Sequence, residues 1–486
     1  MNLSKTKYCS GVICKKKLWL DTFKPNVKSG TGIESVLENG KNVGELAKNL
    51  FKDHIDIEFN ENLTKMLNDT KELLEKEKVV ITEASFSYDN NFCSVDILKK
   101  NKDQYEIYEV KSSTDIIELY LDDVSYQYYI LTKLNLDVKK CFIVHIDNTY
   151  VRKGELELDK LFKKVDVTKK VKERAKDIEK NIKEIEKYLS KEEQEERIES
   201  KCFSPYECPF LNYCLKGIPK PNIFNVKKVK IEKKLDYFNR GLISFEDLAS
   251  SDIDDRSKEQ IDFELNNKEP KIEKDKIKEF ISDFSYPLFF LDFETYQDAI
   301  PEYDDMSPYE QIPFQYSLHY TLNKNCKINH REYLSRDGVD PRRKLAESLI
   351  KEIPMNTCVL AYNMAFEKMV IKKLADLYPD LSEHLMSIHD NMKDLMVPFK
   401  ERWYYCKKMQ GSYSIKYVLP ALFPNDKSLD YKSLNNVHNG TEAMNAFKKL
   451  PKLDSQAKIE LRKSLLSYCE LDTYAMVKIW EKLKDI

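Results

Sequence analysis

The 486-residue chain has only 11 glycines, almost no net charge, and no uninterrupted apolar run of membrane-spanning length. Scarce glycine beside 42% hydrophobic and 11% aromatic residues argues against a disordered chain, so the charged third of the sequence decorates packed elements. The 80 basic and 82 acidic side chains nearly cancel, and any nucleic-acid surface must therefore be local. Around Lys5, Lys7 and Lys15 to Lys17 there is no apolar stretch long enough for a signal peptide or a membrane span, so a cytoplasmic location and no membrane partner are expected. Internal repeats and low-complexity tracts are also lacking. The length calls for two or three domains, each with its own core.

What is present divides into two α/β patterns. In the first, candidate helices around Cys14, Leu18 and Leu20 and from Val43 to Phe51 precede short strand-like runs at Val79–Ile81, Phe92–Leu98, Tyr105–Val110 and Cys141–Val144. A helix is expected from Asp122 to Leu134. Val171, Ala175, Ile178, Ile182, Ile185 and Leu189 recur at helical spacing and predict one long amphipathic helix, packed on the first domain rather than forming a free coiled coil. A Lys- and Asp-rich passage follows, in which Leu235 to Leu248 reads as helix, Gly241, helix, faintly similar to a DNA-backbone-binding hairpin. The second α/β pattern begins at Pro287, with strands near Leu288 and Val359 and helices at Phe366–Leu377 and Ile459–Leu483. The expected division is 1–220, a connector 221–284, and 285–486.

Three constellations carry chemistry. Asp96 interrupts one apolar strand, and Glu109 and Lys111 stand at i and i+2 on the next. Converging there, two carboxylates would bind a metal that activates water, while the ammonium steadies charge on phosphate. The plain alternative is a surface ion pair of Glu109 with Lys111. The second constellation starts at Asp292 and Glu294, which an extended strand places on one face. Asn363, expected as a helix N-cap, is followed by Glu367, and Tyr468 and Asp472 share one face of the last helix. Four acids from separate elements suit a pair of magnesium or manganese ions, with Tyr468 orienting the attacking water. The third is Cys202, Cys208 and Cys214, three soft ligands in a loop that ask for a fourth. Cys14 is the best candidate and Cys9 the alternative; an iron–sulfur cluster or zinc would suit the set. Eleven cysteines in a reducing compartment do not make a disulfide framework, and Cys93, Cys141, Cys326, Cys358, Cys406 and Cys469 read as small apolar residues.

The run from Asp96 through Glu109-Val110-Lys111, with Gln127 on the following helix, resembles PD-(D/E)XK nucleases of the RecB type. That resemblance implies Asp96 and Glu109 as metal ligands, Lys111 as the catalytic lysine, Gln127 as a contact to DNA, and Glu45 as an additional ligand. Leu131 stands where the family's tyrosine would fall. One cysteine before the nuclease core and three after it resembles RecB-like nucleases with a 4Fe-4S cluster. The set Asp292, Glu294, Glu367, Tyr468 and Asp472 resembles DnaQ-like (DEDD) 3'→5' exonucleases of RNase H-like fold, with Glu367 where most relatives have aspartate. Lys416, after Gly411-Ser412-Tyr413-Ser414, resembles a substrate-side phosphate contact. In order, the segments resemble an uncharacterised bacterial family joining the two nuclease types through a cysteine cluster. The expectation is an α/β protein with two domains and a helical connector, acting as a metal-dependent exodeoxyribonuclease on DNA in repair, recombination or defence. A catalytically inactive nucleic-acid scaffold and an RNA-processing exonuclease are the alternatives.

Overall fold

The computed structural model describes residues 3–29 and 34–486. The fold is mixed α/β, and the chain forms two compact units: Met1–Gly217 with Asp298–Tyr309, and Ile218–Gln297 with Glu310–Ile486.

The first unit is built on a seven-stranded sheet. Its strands are β1 (Leu3–Ser4), β2 (Ile55–Asp56), β3 (Lys78–Tyr88), β4 (Asn91–Asn101), β5 (Gln104–Lys111), β6 (Asp137–Ile146) and β7 (Phe162–Asp166). They run in the order β2-β3-β4-β5-β6-β7, with β1 laid parallel against β4. Asp89 and Asn90 both take positive φ between β3 and β4, the two-residue hairpin geometry that short polar side chains tolerate. Tyr105 and Ile107 of β5 face one core and Tyr108 the other, so the period of two carries Glu109 and Lys111 onto the face of Ile107. The helix α4 (Glu118–Lys133) that links β5 to the parallel β6 packs against that face.

Helices α1 (Lys5–Ile13), α2 (Lys15–Phe23), α3 (Glu34–Lys48) and α5 (Thr168–Leu189) belong to the same unit, beside a helix at Leu63–Leu73 and shorter helical turns. α5 is the long amphipathic helix of the sequence pattern: Val171, Ile178, Ile182, Ile185 and Leu189 are buried in the unit's core, and it packs on α4. Gly11 of α1 comes so close to it that a β-carbon there would lie 2.7 Å from Ile185 Cδ1.

In the second unit the passage 221–284 is not an open linker. α6 (Ile231–Asn239), a turn at Gly241 with φ of +78°, and α7 (Phe245–Ala249), whose start is capped reciprocally by Ser244 and Asp247, form the helix–glycine–helix hairpin of the sequence. They enclose a small core of Ile223, Val226, Tyr237, Phe245, Leu248, Ile253 and Ile261. The main sheet has β8 (Leu288–Tyr296), β9 (Ile312–Thr321), β10 (Asn329–Leu334), β11 (Cys358–Ala361) and β12 (Met392–Asp394), in the order β10-β9-β8-β11-β12. Leu288 and Phe290 face one core, Phe289, Leu291 and Phe293 the other, so β8 is buried on both sides. α8 (Ala365–Leu377), α9 (Ile415–Leu422), α10 (Gly440–Lys449) and α11 (Ser455–Lys484) carry the remaining residues of interest. Among the described residues no helix is long and apolar enough to cross a membrane.

The packing of α5 yields a direct test. Ile185→Ala is expected to cost about 2–5 kcal/mol in urea unfolding, whereas Glu186→Ala, exposed on the same helix, should stay within about 0.5 kcal/mol.

Candidate functional site

In the second unit, β8 pairs with β11 only from Leu288 to Phe290. Beyond that point the two strands part, and Asp292 and Glu294 emerge on the side of Leu288 and Phe290, where α11 packs. α11 brings Tyr468, Cys469 and Asp472, and Glu367 enters from the first turn of α8. Ligand atoms of Asp292, Glu294 and Cys469 all lie within 4.8 Å of one another. Burial and then Asp472 push the carboxyls of Asp292 and Glu294 far above the carboxylate range, with Glu367 adding to both. Burial also lifts Asp472 to about 6 and Glu367 to about 8.

These charges have little to balance them. Among the described residues none of the four carboxylates is ion-paired with a lysine or arginine, and Glu367 Oε2 is buried with no hydrogen-bond partner. Relief comes from Lys416 on α9, whose charge lowers Glu294 and Asp472 without reaching them as a salt bridge. Tyr431 donates its hydroxyl to Asp472 Oδ1 at 2.6 Å, and Tyr468 is a second hydroxyl partner of the same carboxylate. Such a donor set, hard oxygens in excess of protons and cations, fits a divalent ion of the magnesium or manganese kind.

The first unit follows the same local logic. β4 and β5 pair from Ile97 opposite Tyr108 outward to the hairpin, and Asp96 and Glu109 are the first residues past the end of that ladder. Where the ladder stops, Asp96 Oδ2 accepts the Val110 N–H at 2.7 Å in place of a backbone carbonyl. Lys111 Nζ lies 2.6 Å from both Glu109 and Asp123 of α4. Gln127, one turn on from Asp123, donates to Glu109 Oε2 at 2.5 Å and to Asp123 Oδ1 at 3.3 Å, while its own Oε1 is buried without a partner. Lys5, the first residue after β1, puts its ammonium 3.1 Å from Glu109, 3.5 Å from Asp123 and 3.7 Å from Asp96.

The electrostatics here differ from those of the second unit. Burial and Asp96 would raise Glu109, but Lys111 and Lys5 outweigh them and hold its carboxyl below the usual range. Asp123 is raised by burial and by Glu109. Glu83, held at φ of +56° directly across from Asp96, is pushed to about 7 by burial and by that neighbour.

Cys14, Cys202, Cys208 and Cys214 are all half-buried, and the last three each lie in the field of Cys14. Lys201, Lys17 and Lys16 supply positive charge to Cys202, Cys208 and Cys214 in turn. No three of the four sulfurs fall within 4.8 Å of one another. Cys9 is instead buried in the core on the side of Asp123 and Lys5, so Cys14 completes the group.

The structure thus brings together Asp96, Glu109, Lys111 and Gln127, then Asp292, Glu294, Glu367, Tyr468 and Asp472, and then the four cysteines. It places others differently. Glu45 is a largely exposed residue of α3, paired with Lys48 at 2.9 Å and outside the hydrogen-bonded group around Glu109. Asn363 is not the N-cap of α8: it sits at φ of +73° with its N–H on Asp394 Oδ1, and Met364 precedes the helix. Leu131, at the expected tyrosine position, is core. Of the cysteines read as apolar filler, Cys326 is exposed and Cys469 sits among the carboxylates. Lys5, Glu83, Asp123 and Tyr431 are the site residues that motif spacing missed. Asp123 alone had a local signal, lying four residues before Gln127 on one helix face.

Residues 289–414 match a family model described as a domain of unknown function, DUF2779. The match takes in Asp292, Glu294 and Glu367 and ends before Lys416, Tyr468 and Asp472. No curated protein matches the chain.

Raised carboxyls make stability depend on pH in a defined direction. Glu367 shifts from an ordinary 4.5 to about 8, so the folded chain holds this proton more tightly than the unfolded one. The stabilisation is complete below the unfolded value and is lost as pH rises toward 8. In chelator, the melting temperature followed by calorimetry should therefore fall between pH 5 and 8. Glu367→Gln should flatten that slope, and millimolar Mn2+ should restore stability at pH 8.

Proposed function

We propose that the chain is a divalent-cation-dependent nuclease with two centres, one in each unit, acting on DNA. The observation that carries this reading is the gathering of Asp292, Glu294, Glu367 and Asp472 in a buried place where, among the described residues, no lysine or arginine forms an ion pair with them and only the more distant charge of Lys416 offers relief. Unpaired buried carboxylates are costly, and an arrangement of this kind persists when a cation normally shares it. In the first unit the Lys5 ammonium lies among Asp96, Glu109 and Asp123 and stands in for such a cation.

Magnesium or manganese held by these oxygens would lower the pKa of water and offset the charge that builds on a phosphodiester under attack. The side chains do the rest. Tyr468, whose phenol burial and Asp472 keep protonated, would turn its hydroxyl from Asp472 to the attacking water once a cation shares that carboxylate. Tyr431 fixes the rotamer of Asp472, and exposed Lys416 is placed to bind a phosphate oxygen. In the first unit Lys111, fully charged because Glu109 and Asp123 outweigh its burial, supplies positive charge at the phosphate. Gln127 and Asp123 position Glu109 and Lys111 through the contacts already described.

The topology supports a PD-(D/E)XK reading of the first unit: an antiparallel β3-β4-β5 meander, a crossover helix and the parallel β6, with Asp96 and Glu109 where strands part. A five-stranded sheet with its acids on the central β8 supports a DnaQ-like reading of the second. The four cysteines belong to the same proposal as ligands of an iron–sulfur cluster. Four soft thiolates drawn from two separated stretches of chain suit a cluster of several irons, with a single zinc ion as the alternative occupant of the same set. Bound, it would tie α2 to the loop after α5.

Two measurements test this. On end-labelled DNA with Mn2+, Asp292→Asn and Lys111→Ala are each expected to remove a separable activity by at least about a hundredfold, and unchanged digestion in both would falsify the reading. Anaerobically purified protein should be brown and lose its visible absorption in Cys208→Ser, whereas a colourless protein containing zinc would refute the iron–sulfur assignment.

A further inference from the structure

A second cluster of ligating side chains lies on the same sheet as Asp292 and takes no part in the proposed hydrolysis. His319 on β9 and His330 on β10 are directly opposite in register, with ring centroids 4.5 Å apart. Glu470 of α11 completes a set in which each residue offers a ligand atom within 4.8 Å of the others. One helix serves both places. Tyr468, Cys469 and Asp472 look toward the carboxylates, while Glu470, Thr473 and Tyr474, also spaced three and four apart, look toward the histidines.

One assignment of protons satisfies every hydrogen bond around the pair and leaves one nitrogen free on each ring. Thr473 Oγ1 donates to the Glu470 carbonyl at 3.2 Å, which leaves it an acceptor for Ser317 Oγ at 2.7 Å and for His319 Nδ1 at 2.8 Å. Ser317, having given its proton to Thr473, accepts from His330 Nε2 at 2.9 Å. All four contacts are satisfied when His319 carries its proton on Nδ1 and His330 on Nε2. His319 Nε2 and His330 Nδ1 are then bare. Glu470 Oε1 stands 3.8 Å from His330 Nδ1, too far to accept a hydrogen bond but close to the roughly 3.4 Å that separates two ligands of one tetrahedral ion. A histidine whose second nitrogen is held by a neighbouring oxygen is the arrangement that orients metal ligands.

We propose that His319 Nε2, His330 Nδ1 and Glu470 form a binding site for a divalent transition ion of the zinc class, separate from the magnesium- or manganese-type sites. Imidazole selects such ions over magnesium. Glu470 is half-exposed and His330 partly so, which leaves coordination positions open to water or to an incoming ligand. The ion would pin α11 to β9 and β10, and so hold the helix that carries Tyr468 and Asp472 against the sheet that carries Asp292. Ser317 and Thr473 are positioning residues.

The test is zinc binding by the full-length chain, stripped with chelator and then titrated against a chromophoric competitor, with bound zinc counted by elemental analysis after gel filtration. Wild type is expected to hold one more equivalent than His330→Gln, and Asp292→Asn is expected to keep that equivalent. Glu470→Gln, on an exposed helix face, should bind at least about tenfold more weakly, and Thr473→Val about 10–100-fold more weakly with its fold intact by circular dichroism. Zinc should raise the melting temperature of wild type more than that of His330→Gln. Equal zinc content in wild type and His330→Gln would overturn the proposal, as would unchanged affinity in Glu470→Gln.

Discussion

Repulsion between carboxylates is the constraint around which the second unit is arranged. Two unit charges about 4 Å apart interact by roughly 4 kcal/mol at the effective dielectric of a protein surface, and more where water is excluded. Asp292 and Glu294 offer ligand atoms within 4.8 Å of each other on a doubly buried strand, and a helix start and a 30-residue helix bring Glu367 and Asp472 near enough for their charges to act on both. Folding could have avoided this by turning any one of them outward. Instead the packing of Leu288 and Phe290 against Leu471, Ala475 and Ile479 fixes the strand and helix faces from which they project.

Both units solve the problem of exposing acids from a buried sheet in the same way. A hydrogen-bonded ladder ends, the neighbouring strands part, and the carboxylates emerge there; in the first unit Asp96 also accepts a backbone N–H in place of a carbonyl. The units differ in how the charge is met. In the first, Lys5 and Lys111 reach the acids and keep Glu109 ionised; in the second, protons must serve until a cation arrives. The first site is thus the more pre-neutralised, and on the proposed reading the second relies more on a bound cation.

Much of this was legible in sequence because period and spacing are local. Asp292 and Glu294 at i and i+2, Tyr468 and Asp472 at i and i+4, and the heptad-like run from Val171 to Leu189 each require only one element. Lys5 was not legible: it reaches Glu109 across more than a hundred residues because a two-residue strand docks beside β4, and nothing near Lys5 announces that docking. Glu83 is hidden by the same kind of reason, since only a backbone excursion to positive φ opposite Asp96 sets it there. Tyr431 lies in a short helical turn with no periodicity to read. Glu45 is paired with Lys48 on an exposed helix face, a use of a helical acid that spacing does not separate from a ligand role. Asn363 misled because its side-chain class suits an N-cap and a left-handed residue equally, and Asp394 decides for the latter.

The central claim is that these carboxylate groups are cation sites of a hydrolase. Anomalous diffraction from Mn2+-soaked crystals addresses it most directly. The account predicts manganese peaks among Asp292, Glu294, Glu367 and Asp472, and among Asp96, Glu109 and Asp123 with the Lys5 ammonium displaced. A map with no peak at either group would contradict it.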